Sequence, residues 1–241
     1  MKKKRLDQLI IDLGLAETRG KAQALIMAGR VYVNNQKAYK AGQQTSSDVQ
    51  IYIKKALDYV SRGGTKLFHA LKTFDISTSG LTALDVGAST GGFTDCLIQN
   101  KARKVYALDV GHGQMDYRLS LDQRVYLMEK INAHYSFDLP EKVDIAVVDV
   151  SFISVTKVIP NIREHLRPDA PIISLIKPQF EAQKNEIGKK GIIKDPLIHS
   201  KVLGRIAKWA VQHKIRIRNI ISSPIYGNAG NKEFFMLLYY E

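Results

Sequence analysis

The residues best suited to bind a ligand form a glycine-rich loop, Gly87-Ala88-Ser89-Thr90-Gly91-Gly92. The loop follows a predicted strand over 81–86 and leads into a predicted helix over 93–100. Glycines let a backbone approach a ligand closely, and they leave the first amides of the helix free to face it. We therefore expect the loop to bind a ligand, against the plain alternative of a tight turn without one.

Three kinds of chemistry use such a loop. A dinucleotide-binding loop has the pattern G-x-G-x-x-G, whereas this one has G-x-x-x-G-G. The segment 87–91 also fits the G-x-S-x-G turn of serine hydrolases, but no later histidine stands in a recognisable loop after a strand. The third interpretation accounts for more residues. Asp85 and Asp109, at the ends of two successive strands, together with the loop resemble a methyltransferase that uses S-adenosylmethionine, with Asp109 accepting the ribose hydroxyls.

Two further charged residues follow apolar runs. Asp149 comes directly after residues 145–148, and Lys177 comes after residues 172–176 and before Pro178. Ligands of open α/β folds bind at the carboxyl ends of strands, so both side chains are candidates for the same cleft. A charged residue that ends a buried strand also often marks only the return of the chain to solvent.

The element pattern predicts the fold. Seven apolar runs are typical of strands, and most are separated by helical or mixed stretches. The strands are 81–86, 104–109, 125–128, 143–148, 171–176, 215–222 and 233–240, and the helical or mixed stretches include 65–74, 93–100, 154–166 and 196–213. This alternation predicts an α/β, Rossmann-like seven-stranded sheet. The last two strands leave no room for a helix between them, so the last strand should be antiparallel. The polar segment 181–194 is long for a connection and has a lid-like position.

The first quarter of the chain has a different pattern and more charge. It predicts two helices, over 5–13 and from Thr18 to Gly29, and then short strands at 31–33, 36–38 and 49–53 before a linker at 54–64. The chain of 241 residues carries a formal charge of +13, and residues 1–60 hold 11 basic against 5 acidic residues. Such a surplus favours a polyanionic partner. A single cysteine excludes a disulfide within the chain. With no apolar run of membrane-spanning length and no signal peptide, we expect a cytoplasmic protein.

Residues 3–53 resemble the small RNA-binding module of ribosomal protein S four. The resemblance lies in Arg5-Leu6-Asp7, in Thr18-Arg19-Gly20-Lys21-Ala22, and in the stretch from Ile26 to Asn34. It implies an α+β domain that binds RNA. Four basic residues are the candidate phosphate contacts, which would position RNA without reading its sequence: Arg5, Arg19, Lys21 and Arg30.

The whole chain resembles the TlyA-type family of hemolysins and ribosomal RNA 2′-O-methyltransferases. The most specific stretches are 61–66, 85–94, 149–154, 177–180 and Gly227-Asn228 to Phe234. Residues 61–241 also resemble FtsJ-type RNA methyltransferases, which use a Lys-Asp-Lys-Glu tetrad. By motif, the resemblance places that tetrad on Lys66, Asp149, Lys177 and Glu233. Lys177 would accept or relay the proton of a ribose 2′-hydroxyl, while Asp149 and Glu233 would orient the two amines.

The resemblance also implies the cofactor site and the domain boundary. S-adenosylmethionine would be bound by residues of the loop and of the neighbouring strand ends: Asp85, Gly87, Ala88, Ser89, Gly91, Gly92, Phe93, Asp109, Asn132 and Asp149. Asn132 stands where FtsJ-type enzymes have an aspartate for the adenine amine. Residues 1–60 would be the RNA-binding domain and linker, and residues 61–241 the methyltransferase domain. No metal is expected, and ribosomal RNA or ribosomal subunits would be the partner.

Two other functions stay open from the sequence. A non-catalytic RNA-binding or ribosome-assembly factor could have kept the same fold. A membrane-active hemolysin is the other, although no long amphipathic basic helix supports it and no stable membrane insertion is expected. Neither the methylated nucleotide nor the oligomeric state follows from the sequence.

Overall fold

A computed structural model describes residues 3–53, 58–227 and 229–241. Residues 54–57 of the predicted linker and Asn228 of the predicted motif therefore lie outside the described residues. The chain divides into two compact units, residues 1–57 and residues 58–241. Among the helices of the described residues, none is long and apolar enough to cross a membrane.

The first unit is a small α+β structure. Its elements are β1 (Lys3–Arg5), α1 (Leu6–Asp12), α2 (Arg19–Met27), β2 (Val31–Val33), β3 (Gln36–Lys37), β4 (Gln44–Ser46) and β5 (Ile51–Ile53). Strands β3, β2 and β5 form one antiparallel sheet, and β1 pairs with β4 in another. Asn34 and Asn35 both have positive φ, as a tight hairpin turn requires. The core is formed by apolar residues of both helices and of β2, together with the residue directly after β3; these are Leu6, Ile10, Ala22, Ile26, Val31 and Ala38.

The second unit is a doubly wound α/β structure. Its strands are β6 (Thr82–Val86), β7 (Lys104–Asp109), β8 (Val125–Glu129), β9 (Ile145–Val148), β10 (Ile172–Ile176), β11 (Ile215–Ser222) and β12 (Phe234–Tyr240). Its α-helices are α3 (Arg62–Phe74), α4 (Gly92–Gln99), α5 (Tyr117–Ser120), α6 (Ile159–Ile162), α7 (Pro178–Glu181) and α8 (Pro196–Gln212).

These seven strands form one sheet in the order β11-β12-β10-β9-β6-β7-β8. The five strands from β6 to β10 are parallel, and β12 runs antiparallel to both of its neighbours. Strands β6, β9 and β10 are completely buried, which is why they read as continuous apolar runs. The predicted fold class, with its single antiparallel strand at the end of the chain, is confirmed.

One helix boundary was predicted wrongly. Helix α3 begins at Arg62, so the glycines predicted to end a linker form its first turn, capped by Ser61, which accepts from Gly63 N. A Cβ on Gly64 would lie 2.2 Å from the ring of Tyr59, so the sequence uses glycine here for close packing. The stretch predicted as helical or mixed over 154–166 contains α6 and short 3₁₀ turns, because Pro160 cannot continue a longer helix from its preceding turn.

Candidate functional site

The register of three parallel strands brings the predicted cofactor residues together. Val86 of β6 pairs with Leu108 of β7 and with Val148 of β9. The next residues along these strands are Gly87, Asp109 and Asp149, so all three lie at the carboxyl edge of the sheet. A Cβ on Gly87, whose φ is +87°, would lie 2.6 Å from the carbonyl oxygen of Asp149. This close approach requires a glycine at the start of the loop.

A cavity of about 540 Å³ opens at this edge, within the usual range for a small-molecule site. Its polar lining comes from the strand ends and the loops that follow them: Ser89, Asp109, Gln114, Asn132, Asp149 and Ser151. The rest of the lining is Gly87 and apolar side chains, which suits a ligand with one flat, apolar part and several polar groups.

The amides of the glycine-rich loop are already hydrogen-bonded within the protein. Gly87 N and Ala88 N both donate to Leu108 O, at 2.8 and 3.1 Å. Ser89 N donates to Asp109 Oδ2 at 2.8 Å. A loop that binds phosphate needs such amides to face the ligand. The loop is therefore built for close approach to a ligand and does not present these amides to an anion, which disfavours the dinucleotide interpretation.

The serine-hydrolase interpretation fails on the partners of Ser89 and of the later histidines. Ser89 Oγ donates to the side-chain oxygen of Gln114, at 3.2 Å. His199 Nε2 lies 3.1 Å from Ile193 O, and His213 Nδ1 lies 2.8 Å from Trp209 O. His165 packs on the ring of Phe137 with 4.4 Å between ring centroids. None of these histidines is in a position to activate Ser89.

Asp85 of β6 lies outside the lining of the cavity, and its pKa is strongly raised. It is fully buried, and its Oδ2 accepts from Thr94 Oγ1 at 2.7 Å. Burial raises the pKa of Asp85 to about 7, and the nearby carboxylates of Asp149 and Asp109 add to the rise. Its other oxygen has no hydrogen-bond partner within the described part of the chain. Such an oxygen is suited to a donor on a ligand, and the group of carboxylates favours a cation.

The predicted tetrad forms two ion pairs. Lys177 Nζ lies 2.7 Å from Asp149 Oδ1, with 12% and 21% of the two side chains exposed. Lys66 Nζ donates to Glu233 Oε2 at 2.5 Å, with 9% and 3% exposed. Since Ile176 pairs with Phe234 across β10 and β12, the residues Lys177 and Glu233 next to them are neighbours in the sheet. The antiparallel last strand thus begins at this edge and places Glu233 beside Lys177.

The other predicted cofactor residues lie at different depths. Asn132 lines the cavity, and its Oδ1 accepts from His134 N at 3.0 Å. Ala88, Gly91 and Gly92 form the turn into α4, outside the lining of the cavity, with Gly91 as the N-cap residue at φ +91°. Phe93 is buried and stacks on Phe235 in the core, with 6.2 Å between ring centroids. The cofactor roles of these residues stay predictions.

The sequence interpretation missed the contacts that join the two loops of the tetrad. Ser151 Oγ accepts from Lys177 Nζ at 2.8 Å. Phe152, which is 90% exposed with φ +63°, packs on Phe180 with 4.9 Å between ring centroids. Glu181 accepts from Ser154 Oγ at 2.6 Å and from Val155 N at 2.9 Å. Each of these residues lies within a few positions of a predicted site residue, and the sequence contains no other signal for their contacts.

The predicted lid-like segment is held at two points. Asn231, buried at 1% exposure, accepts from Ile193 N at 2.8 Å and donates to Gly191 O at 3.0 Å. Earlier in the segment, Glu186 forms a bidentate ion pair with Arg205 of α8, at 2.9 and 2.6 Å. The segment is therefore bonded to the rest of the second unit in its middle and near its end.

In the first unit, a buried aspartate organises two of the predicted RNA contacts. Asp7 is fully buried and accepts from Arg5 at 2.9 and 3.1 Å and from Arg19 at 3.0 Å. The Arg5 guanidinium is the main cause that holds the pKa of Asp7 well below its usual range. The two arginine side chains are still 44% and 54% exposed. Lys21 pairs with Glu17 on the exposed face, and Arg30 stands at the junction of α2 and β2.

Comparison with known proteins identifies a family model for each of the two units. A family model of FtsJ-like methyltransferases matches residues 59–240. The chain belongs to the FtsJ-like methyltransferase family. A model of the S4 domain matches residues 4–51, which lie in the first unit. The predicted family and the prediction that the protein is a methyltransferase are confirmed.

Several full-length relatives share both units. Hemolysin A of Brachyspira hyodysenteriae is 41% identical over 95% of this chain and 97% of that protein. The 16S/23S rRNA (cytidine-2′-O)-methyltransferase TlyA of Mycobacterium tuberculosis is 37% identical over 97% of this chain and 89% of that protein. An S-adenosylmethionine-dependent methyltransferase of Aquifex aeolicus has a solved structure with a TM-score of 0.52 at 18% identity. The match covers 75% of this chain and 93% of that one, and it supports the fold alone.

Proposed function

We propose that this protein transfers the methyl group of S-adenosylmethionine to a ribose 2′-hydroxyl of ribosomal RNA. The observation that carries the proposal is the Lys177–Asp149 ion pair, because Asp149 also lines the cavity. One pair thus joins the site for a small molecule to an amine that can bind a proton. The relative TlyA of Mycobacterium tuberculosis, whose name states this activity, supports the choice of substrate.

The residues that line the cavity, together with Asp85 of the adjoining strand β6, fit S-adenosylmethionine. The unpartnered oxygen of Asp85 suits the amino group of the methionine part, and the carboxylates at the cavity edge suit a positively charged sulfonium. Asp109 already accepts from Ser89 N and Gly111 N, and each carboxylate oxygen can accept a further bond from a ribose hydroxyl. Apolar residues that include Ile131 would cover the adenine, beside Asn132. The loop amides are not presented to an anion, and this cofactor has no phosphate.

The chemistry asks for a base and for alignment. When bound, the cofactor supplies a methyl group on an electron-poor sulfur. Lys177, as a neutral amine, would take the proton of the 2′-hydroxyl while the oxygen attacks the methyl carbon. Asp149 would fix the direction of the amine, since the transfer requires the oxygen, carbon and sulfur to be nearly in line. Proton transfer of this kind typically contributes about 10²–10⁴-fold to a rate.

Lys66 and Glu233 would support this site without taking part in proton transfer. Their ion pair is almost fully buried, and the two charges compensate each other. Glu233 is the sheet neighbour of Lys177, so the pair fixes the strand end beside the amine. A Cβ on Gly227 would lie 2.4 Å from Glu233 Oε1, which shows how closely the preceding turn packs on this carboxylate.

The S4 domain would supply RNA affinity. Arg5 and Arg19 present the exposed halves of two guanidinium groups whose orientation Asp7 fixes. A guanidinium offers five donors in a rigid plane, so it can bind a carboxylate and a phosphate at once. With ribosomal RNA as the partner, the cytoplasm would be the place of action, and the domain boundary near residue 60 would separate RNA binding from chemistry.

The test is methylation of RNA with radiolabelled S-adenosylmethionine. Transcripts of small- and large-subunit ribosomal RNA, and ribosomal subunits assembled from them, would be the substrates. Alkali cleaves RNA only next to a free 2′-hydroxyl, so the phosphodiester bond beside a methylated ribose stays intact. The label should therefore be found in dinucleotides that resist alkaline hydrolysis. Label on a base, or RNA binding and cofactor binding without any transfer, would contradict the proposal, and the second result would favour a non-catalytic assembly factor.

A further inference from the structure

Lys177 is held by two residues of one loop. Its Nζ lies 2.7 Å from Asp149 Oδ1 and donates to Ser151 Oγ at 2.8 Å. This second contact joins the loops that follow two neighbouring strands. Ser174 of β10 and Val148 of β9 are the last pair of their ladder, and Lys177 and Ser151 each follow three residues later. Both residues therefore stand just beyond neighbouring strands at the same edge of the sheet.

The two partners of Lys177 differ in what they can do with a proton. An ionised carboxylate only accepts hydrogen bonds, whereas a hydroxyl can accept one and donate another. Ser151 can thus accept from a lysine ammonium and donate to a neutral lysine amine. Only 12% of the Lys177 side chain is exposed, whereas Ser151 is an exposed residue. Ser151 therefore connects a nearly buried amine to water.

We propose that Ser151 is a positioning residue for Lys177 and carries away the proton that Lys177 collects. This inference rests on the proposed function. As the oxygen–methyl bond forms and the carbon–sulfur bond breaks with its electron pair going to sulfur, the hydroxyl proton passes to the lone pair of Lys177. In the same step Lys177 gives one of its protons to Ser151 Oγ while the Ser151 hydroxyl proton passes to water. Ser151 ends unchanged, and Lys177 is again a neutral amine.

Ser151 also lines the cavity, so a loss of activity on its removal needs to be separated from a loss of cofactor binding. Ser151→Ala removes the hydroxyl, and Ser151→Thr keeps it on a slightly larger side chain. Ser79→Ala is the matched control, because Ser79 is an exposed serine in the turn before β6, at the opposite end of the strands from the cavity.

The experiment measures single-turnover methylation of ribosomal RNA transcripts and subunits in mixtures of H₂O and D₂O. We expect Ser151→Ala to lower the rate roughly 10–100-fold, part of the full value of acid–base catalysis. The dissociation constant of S-adenosylmethionine should change by less than about twofold, as for a group that acts on the chemical step. The dependence of the rate on deuterium content should be curved in the wild type, where more than one proton moves in the same step, and linear in Ser151→Ala. Ser151→Thr should restore most of the rate and the curvature.

Two results would overturn the inference while the proposed function stands. One is an active wild type that Ser151→Ala matches in rate and in deuterium dependence. The other is a loss in Ser151→Ala that appears only as weaker cofactor binding. A wild type that transfers no methyl group to the ribose overturns the proposed function itself, and the inference with it.

Discussion

Lys66 Nζ and Glu233 Oε2 form a hydrogen-bonded ion pair of 2.5 Å across 167 positions of the chain. The pair joins the first helix of the methyltransferase unit to the residue before its last strand. Both side chains are almost completely buried, so neither charge can be solvated if the other is removed. The pair therefore joins α3 to the start of β12, at the edge of the sheet where the cavity lies.

Breaking this pair should destabilise the methyltransferase unit. We expect Lys66→Met or Glu233→Met alone to lower the free energy of unfolding by about 3–5 kcal/mol, because each leaves a buried charge without its partner. The double variant Lys66→Met/Glu233→Met should recover most of that loss. Urea unfolding followed by tryptophan fluorescence measures it, since the single tryptophan, Trp209, lies on α8 and reports on this unit. Additive losses in the double variant would contradict a direct coupling.

Breaking the Lys177–Asp149 pair should lower activity much more than stability, the reverse of the effect expected for Lys66 and Glu233. Lys177→Met and Asp149→Asn should lower single-turnover methylation by about 10²–10⁴-fold, since they remove the base or its orientation. Both side chains reach solvent, so the same variants should unfold at urea concentrations closer to the wild type than Lys66→Met does. Near-normal methylation by Lys177→Met on the best RNA substrate would exclude Lys177 as the base.

The part of the site that lies at strand ends could be predicted from the sequence. Asp109, Asp149 and Lys177 follow apolar runs, and the periodicity of such runs is visible in a single sequence. The contact between Lys66 and Glu233 could be inferred only from the resemblance to FtsJ-type enzymes, because no local pattern relates positions 167 residues apart. The same limit hid Ser151, whose contact depends on which strands are neighbours in the sheet.

One local feature misled the interpretation, and another was not predicted at all. Glycines usually end helices, yet Gly63 and Gly64 lie in the first turn of α3, where close packing outweighs their low helix propensity. The burial of Asp7 beneath Arg5 and Arg19 was not predicted. Burial of a charge depends on partners distant in sequence, which composition does not reveal.

The carboxylate of Asp109 should matter for cofactor binding. Asp109→Ala should weaken the binding of S-adenosylmethionine by about 1.5–3 kcal/mol, the range for hydrogen bonds to charged groups. It also frees Ser89 N and Gly111 N, so the loop loses part of its support. Isothermal titration calorimetry measures the change, with Asp109→Asn as a variant that keeps one acceptor oxygen. An unchanged affinity in Asp109→Ala would remove Asp109 from the cofactor site.

Gly87 offers a separate test of the loop. In Gly87→Val the new side chain would meet the carbonyl oxygen of Asp149, so the strand end itself must shift. We expect loss of cofactor binding and a lower urea midpoint together. Gly204→Ala in α8 is the matched control, because nothing lies within 4 Å of the position of its Cβ. Unchanged cofactor binding in Gly87→Val would show that this close approach is not needed.

Asp85 should make stability depend on pH. Its pKa is about 7 in the folded protein against 3.8 as the ordinary value, so between these values the folded state binds a proton that the unfolded state has released. Its contribution to stability is therefore greatest below about pH 4 and falls as the pH rises through 7, by about 4 kcal/mol at 1.36 kcal/mol per unit. Asp85→Asn should flatten this fall in urea midpoints between pH 4 and 8. Asp75→Asn, at an exposed carboxylate, should leave the pH dependence as in the wild type.

The predicted RNA contacts of the S4 domain need to be tested with variants that spare its fold. Charge reversal at Arg5 or Arg19 would leave Asp7 buried beside a repelling charge, so weaker RNA binding there could come from unfolding. Lys21 is a better choice, because it is 61% exposed and pairs only at the surface with Glu17. Lys21→Glu should weaken RNA binding and reduce the slope of log affinity against log salt by about 1, as for one lost phosphate contact.

The exchange Glu17→Lys/Lys21→Glu is the control, since it keeps the net charge and the ion pair but moves the positive charge. If Lys21 binds a phosphate, the exchange should weaken binding as well. If only the overall charge matters, the exchange should bind RNA as the wild type does.

A deletion of the whole domain should end at residue 57, because Val60 N donates to Asp95 Oδ2 at 2.7 Å within the methyltransferase unit. That truncated protein should bind S-adenosylmethionine normally and RNA with a shallower salt dependence. Equal RNA affinity and salt slope in the truncated and full-length proteins would assign RNA binding to the methyltransferase unit instead.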